Sequence, residues 1–484
     1  MNIAVILEMA AASAQPPSVA CAGRRLDAAE LLRLSRHAAD RFRDRPAVLY
    51  TGANHLAYPV ALFGAALAGV PFVPLNYRLG EDQLAALATR HPGAEVLRPD
   101  ELDALLQAPP GDAPAPTSPD SRDAVAVILY TSGTTAAPKA ALLRHRHLMA
   151  YVLATQEFGA ADPADAALVA LPPYHIAGLM NLLSNLYSGR RVVYEPAFDA
   201  GRWLRTVRQE RITHAMVVPT MLARITEAVG AGPADAPALR SLAYGGARTP
   251  RHVIERALRQ FPDTGFAGAY GLTETSSSIA VLGPDDHREA MGSTNDAVRA
   301  RLGSVGQPLP GVEVEIRDDS GAAVPAGSSG LVFVRGEQIS GEYGGAERGA
   351  DDGWFATRDQ GRMDADGYLF IEGRADDTII RGGENIAPAE IEDVLMRHPD
   401  VEEAAVVGVP DAEWGQRIVA VLVGTADPDE IRAYARERLR SSKTPDTVVV
   451  RAELPRTTTG KLLRRTLVTE LADHAASEGD PTHA

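Results

Sequence analysis

The chain has 484 residues, 45% of them hydrophobic and 23% charged, with a formal net charge of −15. That length predicts two or three domains, and the composition is that of a soluble globular protein. The acidic balance excludes general nucleic-acid binding, which needs a basic face, and disfavours an anionic membrane surface. An anionic ligand must therefore be held locally, by a few placed cations and backbone N–H groups.

The single cysteine, Cys21, excludes an intramolecular disulfide and a Cys-rich metal site. The N-terminal run MNIAVILEMAAASAQ is apolar but lacks a basic start and carries Glu8, which argues against a secretory leader. No stretch reaches the roughly 18 apolar residues of a membrane span, so the cytoplasm is the expected compartment.

In chain order, LDAAELLRLSRHAADRF predicts an amphipathic helix opened by Asp27, and VALFGAALAGV a buried helix ending at Gly69. The strand PFVPL follows. Residues 107–120 are rich in Pro, Ala and Asp and read as a surface linker. The apolar run AVAVIL then leads into YTSGTTAAPKAALL. From 190 to 282 strands alternate with helices. RRVVYE, THAMVVP and LRSLAYGG read as strands, and the helices between them start at Asp199, after Pro219 and near Pro250. This rhythm implies a largely parallel sheet.

Near residue 303 the pattern changes to short alternating strands split by Asp/Gly turns, which predicts a small antiparallel β-barrel. Beyond Asp376 come a helix opened by Pro388, two apolar strands and a helix capped by Asp427 with Pro428 at its first position. The tail after Leu471 is polar and is expected to fray. The expected fold is therefore α/β: a large N-terminal domain, 1–375, with two parallel-type α/β subdomains and a small barrel, and a small α+β domain, 376–484.

Thr131–Lys139, TSGTTAAPK, concentrates hydroxyls, a glycine and a cation behind a strand. It lacks the second glycine and helix-opening lysine of a Walker loop, because Pro138 precedes Lys139. It reads as either a phosphate loop of another kind or a Ser/Thr-rich turn. SLAYGGAR and GAYGLTETSSS put glycines at the carboxyl ends of apolar strands, where parallel sheets bind ligands. Glu274 could hold a divalent cation or be a solvated loop acid. Asp359, expected in a loop before a hairpin, and Arg374 could hold ribose hydroxyls or form a surface ion pair. Lys461, after Gly460, could be catalytic or simply solvated.

Taken in order, these motifs resemble the adenylate-forming superfamily of acyl-CoA synthetases, carrier-protein-loading adenylation domains and luciferases. The resemblance runs from about Val60 to Arg465. YTSGTTAAPKAALLRH is similar to its phosphate loop, PPYHIAGL to its acyl-pocket segment and YGLTET to its central adenylate motif. GWFATRDQGRMDADGYLFIEGRADD is similar to its ribose and hinge segment, and PRTTTGK to its terminal lysine motif.

The resemblance implies that Thr131, Ser132, Gly133, Thr134, Thr135 and Lys139 embrace the outer phosphates of ATP. Gly245, Gly246, Ala247, Tyr270 and Gly271 would form the nucleotide slot, Thr273 would touch the α-phosphate and Glu274 would position Mg2+. Asp359 and Arg374 would hold the ribose, and Lys461 would reach the carboxylate and α-phosphate. Asp376 would be the hinge between two domain orientations, and Gly383 would face the pantetheine of coenzyme A.

His175, Met180, Tyr244, Ala269, Ser276 and Ser277 are the expected acyl-pocket residues. HIAGLMN, 175–181, lacks the acid that amino-acid-activating relatives use, so the expected substrate is a small carboxylic acid without an α-amino group. The implied acceptor is coenzyme A. The alternatives are a free-standing enzyme that loads a carrier protein, or a degenerate binding protein suggested by Ala136, Ala140 and Arg358.

Overall fold

A computed structural model describes residues 1–107, 122–131, 138–344, 353–382, 384–411, 413–457 and 462–478. Most of the expected linker lies outside the described residues. The chain divides into two compact units: Met1–Val314 with Val334–Phe355, and Glu315–Phe333 with Ala356–Ala484. The expected boundary at 375/376 is not where these units part. The second unit takes in the strand Leu369–Arg374, against which the helix Pro388–Leu395 packs.

In the first unit the N-terminal run forms the helix Ala4–Ala12, burying Ile6, Leu7 and Ala10 against the helices Ala28–Phe42 and Ile176–Ser188. Asp27 caps Ala28–Phe42 by accepting from Glu30 N at 2.7 Å, a contact worth about 1 kcal/mol. Ala57–Ala68 is apolar on every face and accordingly buried from Ala57 to Leu67, and it stops at Gly69, whose φ of 74° suits a residue without a Cβ.

Two sheets organise this unit. Among the described residues the smaller has five strands, in the order Glu95–Leu97, Val48–Tyr50, Phe72–Pro74, Val125–Thr131, Lys139–Arg144. Its last pair is an antiparallel hairpin that sets Thr131 opposite Lys139. The larger has nine strands among the described residues. In it Ser241–Gly245 runs parallel to both His214–Val217 and Gly265–Leu272. Gly265–Leu272 then turns back antiparallel into Ser277–Leu282. The glycine-rich ends of two strands thus meet at one edge of the sheet.

The second unit carries most of a four-stranded sheet, in the order Glu313–Arg317, Ser329–Arg335, Phe355–Met363, Leu369–Arg374. Asp359 lies inside the third strand, not in a loop as expected. The buried positions there are Thr357, Asp359 and Gly361, so the alternation that makes it a strand is not an apolar one. A three-stranded sheet of Val401–Asp411, Gly415–Gly424 and Thr447–Arg451 follows. The C-terminal tail, expected to fray after Leu471, continues as a helix from Arg464 to Glu478. Leu467 and Leu471 anchor it in an apolar cluster, which lets the alanine-rich remainder propagate.

Candidate active site

The Thr131/Lys139 hairpin frames the expected phosphate loop, whose Ser132, Gly133, Thr134, Thr135 and Ala136 lie outside the described residues. Ala140 sits in the strand, opposite Tyr130, where alanine's lack of backbone freedom is no handicap. The segment Ser340–Gly344 lies along the same strand. Leu142 N donates to Glu342 O and Gly344 N to Ala140 O, both at 2.9 Å. Arg144 grips the Glu342 carboxylate at 2.7 Å and holds its pKa below the usual range. Between these contacts Tyr343 projects its ring 5.6 Å from Lys139 Nζ.

The slot at the strand ends is shaped by backbone contacts. A Cβ at Gly245 would lie 2.2 Å from Ala269 O, and one at Gly271 would lie 1.9 Å from Ser277 O. No side chain fits at either position, because the backbone of the paired strand already fills the space a Cβ would need. Gly246, with φ of 89°, and Ala247 are exposed at the end of the strand, and Tyr270 is half-buried.

Thr273 and Glu274 begin a single 3-10 turn, Thr273–Thr275. Glu274 is buried, not a solvated loop acid. Its backbone oxygen accepts from Ser340 N at 2.8 Å and Gly341 N at 3.1 Å, and its Oε1 accepts from the Tyr343 hydroxyl. Thr275 fixes the turn: its Oγ1 accepts from Leu272 N at 2.9 Å and donates to Ser277 O at 2.7 Å. Ser276 and Ser277 follow with φ of 54° and 125°, a strain of about 1–3 kcal/mol each that functional turns commonly carry. Among the described residues no cluster of three or more His, Cys, Asp or Glu forms a cation cage. A lone buried carboxylate fits a Mg2+ ion that takes its remaining ligands from water and substrate phosphates.

In the second unit Asp359 stands directly across from Arg374, carboxylate to Nε at 2.9 Å. Arg374 also donates to Thr357 O at 3.2 Å, and the Thr357 hydroxyl donates to Val332 O at 2.9 Å. Arg358, just before the aspartate, is exposed with φ of 63°, a conformation that favours glycine. Asp376 is exposed in the turn Ala375–Asp377. Gly383 and Lys461 lie outside the described residues. Among the described residues on either side, Arg456 and Leu462 form a bridge, and Leu463 N donates to Pro455 O at 2.9 Å.

The expected acyl-pocket residues separate into two groups. His175 caps the helix Ile176–Ser188, with its ring centroid 4.5 Å from that of Tyr174. Burial, reinforced by the Arg78 charge, lowers its pKa to about 4, so the imidazole is neutral. Its Nε2 and the Ser276 Oγ are buried without a hydrogen-bond partner among the described residues. Ala269 and Ser277 stay beside the glycine edge.

Met180 and Tyr244 are buried side chains. Met180 is 2% exposed and belongs to the apolar core of the first unit. Tyr244 faces the core as well, and its hydroxyl lies 2.8 Å from His287 Nε2. His287 Nδ1 lies 2.7 Å from Gly283 O, which can only accept, so Nδ1 carries the proton and Nε2 accepts from Tyr244. The residue that the sequence did not single out is Tyr343.

Residues 8–343 match the AMP-binding enzyme family, and residues 390–461 match the AMP-binding enzyme C-terminal domain. The chain belongs to this adenylate-forming family. It is 37% identical over 447 residues to a feruloyl-CoA synthase of Amycolatopsis sp, covering 86% of this chain and 87% of the relative. It is 34% identical over 491 residues to the fatty acid–[acyl-carrier-protein] ligase ScoC of Streptomyces coeruleorubidus, covering 93% and 92%. Acid–CoA ligases recur among other relatives. The crystal structure of ATP-bound MatB from Rhodopseudomonas palustris superposes with a TM-score of 0.86 at 27% identity, covering 98% of this chain and 100% of that one. The enzyme class is that of the AMP-forming acid–thiol ligases, as the motif order implied. Among the described residues no helix is long and apolar enough to cross a membrane.

Proposed function

We propose that this chain is a cytoplasmic acyl-CoA synthetase that uses ATP, Mg2+ and coenzyme A. A substrate carboxylate oxygen attacks the α-phosphorus of ATP, the bond to the β-phosphate oxygen breaks, and pyrophosphate leaves. The thiolate of coenzyme A then attacks the acyl carbon and displaces AMP. The observation that carries this reading is the buried Glu274 carboxylate, held by a neutral hydroxyl beside Lys139. Two anions meet in the first step, so catalysis consists mainly of neutralising charge and positioning groups.

Lys139 supplies positive charge toward the outer phosphates, and the glycine edge admits the adenine. Thr273 is placed to donate to the α-phosphate. Asp359, oriented by Arg374, accepts from ribose hydroxyls. Mg2+ bound at Glu274 would offset charge that builds on the phosphates. Lys461 would reach the reacting oxygens, with Asp376 as the hinge and Gly383 beside the pantetheine. The absence of an acid in 175–181 points to an acid without an α-ammonium group. The neutral His175 and the Ser276 hydroxyl border its acyl portion.

Coenzyme A is preferred over a carrier protein because a feruloyl-CoA synthase and several other acid–CoA ligases are among the similar relatives, against one carrier-protein ligase named above. The degenerate reading loses support because Ala140 is an ordinary strand residue. The test is carboxylate-dependent exchange of labelled pyrophosphate into ATP across an acid panel, followed by turnover with coenzyme A or a carrier protein. Exchange with turnover on coenzyme A is expected. No exchange with any acid, or turnover on carrier protein alone, would contradict the proposal.

A further inference from the structure

The segment Ser340–Gly344 touches both charged groups of the phosphate-handling site. On one side it is stitched to the Lys139–Arg144 strand by the Leu142, Gly344 and Arg144 contacts. On the other it binds the Glu274 turn, through Ser340 N and Gly341 N to the backbone and through the Tyr343 hydroxyl to the carboxylate. Tyr343 is the side chain common to both, with its hydroxyl on Glu274 and its ring 5.6 Å from Lys139 Nζ.

We propose that Tyr343 is a positioning residue that orients the Glu274 carboxylate toward the metal and keeps the Lys139 ammonium from pairing with it. The inference rests on the reading of Glu274 as the Mg2+-binding acid. Opposite unit charges attract more strongly near a protein surface than in bulk water. A direct Lys139–Glu274 pair would therefore form readily and would occupy both charges before ATP and Mg2+ arrive. A phenol avoids this in two ways. Its hydroxyl holds one carboxylate oxygen without cancelling the charge, as an outer-shell partner of a metal ligand does. Its ring face gives the ammonium an alternative partner, weak enough to release to phosphate. The Arg144–Glu342 pair next door anchors the tyrosine backbone without adding net charge.

Tyr343→Phe removes only the hydroxyl and keeps the ring. Calorimetric titration of Mg2+ in the presence of α,β-methylene-ATP is the readout, since it needs no turnover. The expected result is an apparent Mg2+ affinity reduced about 10- to 100-fold, the range for loss of an outer-shell partner, with metal-free nucleotide affinity unchanged. Tyr343→Leu, which also removes the ring, should weaken metal-free nucleotide binding as well, because Lys139 can then turn to Glu274. A melting temperature near that of the parent shows that each variant is folded. Parent-like Mg2+ affinity in Tyr343→Phe would overturn the inference. Glu274→Gln in the same titration separates the two ideas. If it leaves Mg2+ affinity intact, the metal reading of Glu274 is wrong; if it weakens Mg2+ while Tyr343→Phe does not, only the role of Tyr343 is wrong.

Discussion

Glu274 and Asp359 are both buried acids assigned to the nucleotide, yet one is held by a phenol and the other by a guanidinium. The Tyr343 hydroxyl orients the Glu274 carboxylate without bringing a counter-charge to it. Asp359 has its charge compensated by Arg374 across the strand pair. A metal needs the first arrangement. Neutral sugar hydroxyls need only an acceptor of fixed direction, which the second provides. The partner of each acid, more than the acid itself, separates the two proposed roles.

The sharpest way to break this contrast is Glu274→Gln. The amide oxygen still accepts from Tyr343, so the turn survives, but the charge is lost. Adenylation should slow by about 10²–10³-fold, the usual scale for deleting one electrostatic element of a transition-state site. The measurement is the initial rate of pyrophosphate exchange, with a melting curve expected to match the parent. Asp359→Asn should act differently. It leaves Arg374 without its counter-charge, and since that arginine is about one-third exposed the stability loss should be modest, about 1 kcal/mol. The KM for ATP should rise, with no change in Mg2+ dependence. A denaturant midpoint and an ATP titration check both parts.

A further prediction concerns the histidines of the first unit. Burial lowers the pKa of His145, His175 and His214 to about 4 each. Below the unfolded value of about 6.5 the unfolded chain binds more protons than the folded one, so stability falls as pH drops from about 6.5 to about 4. Melting temperatures measured across that window should decline. His175→Gln should flatten part of the decline, and an unchanged slope would contradict the buried-neutral assignment. The smallest effect is expected at Arg358, whose φ of 63° strains a side chain. Arg358→Gly should stabilise by about 0.5–1 kcal/mol, the strain relieved less the entropy glycine adds to the unfolded chain, seen as a higher urea midpoint.

Much of the fold was legible in the sequence, for physical reasons. Parallel strands buried on both faces read as apolar runs, and Asp27, Asp199 and Asp427 marked helix starts that the structure places at caps. The strand around Asp359 was not legible, because Thr357, Asp359 and Gly361 point inward where apolar residues would signal a strand. The burial of Met180 and Tyr244 in apolar clusters was not legible either, because an apolar or aromatic residue near a motif does not reveal which face it occupies. Tyr343 was missed because its value depends on a segment almost 70 residues from Glu274 in the chain, brought alongside by main-chain pairing that side chains do not announce.

The account is tested most directly by a Mg2+ titration of carboxylate-dependent pyrophosphate exchange in Glu274→Gln and Asp359→Asn side by side. The predicted result is a large rise in the Mg2+ needed for half-maximal exchange in Glu274→Gln, with none in Asp359→Asn. Equal shifts in the two variants, or a shift in Asp359→Asn alone, would contradict it.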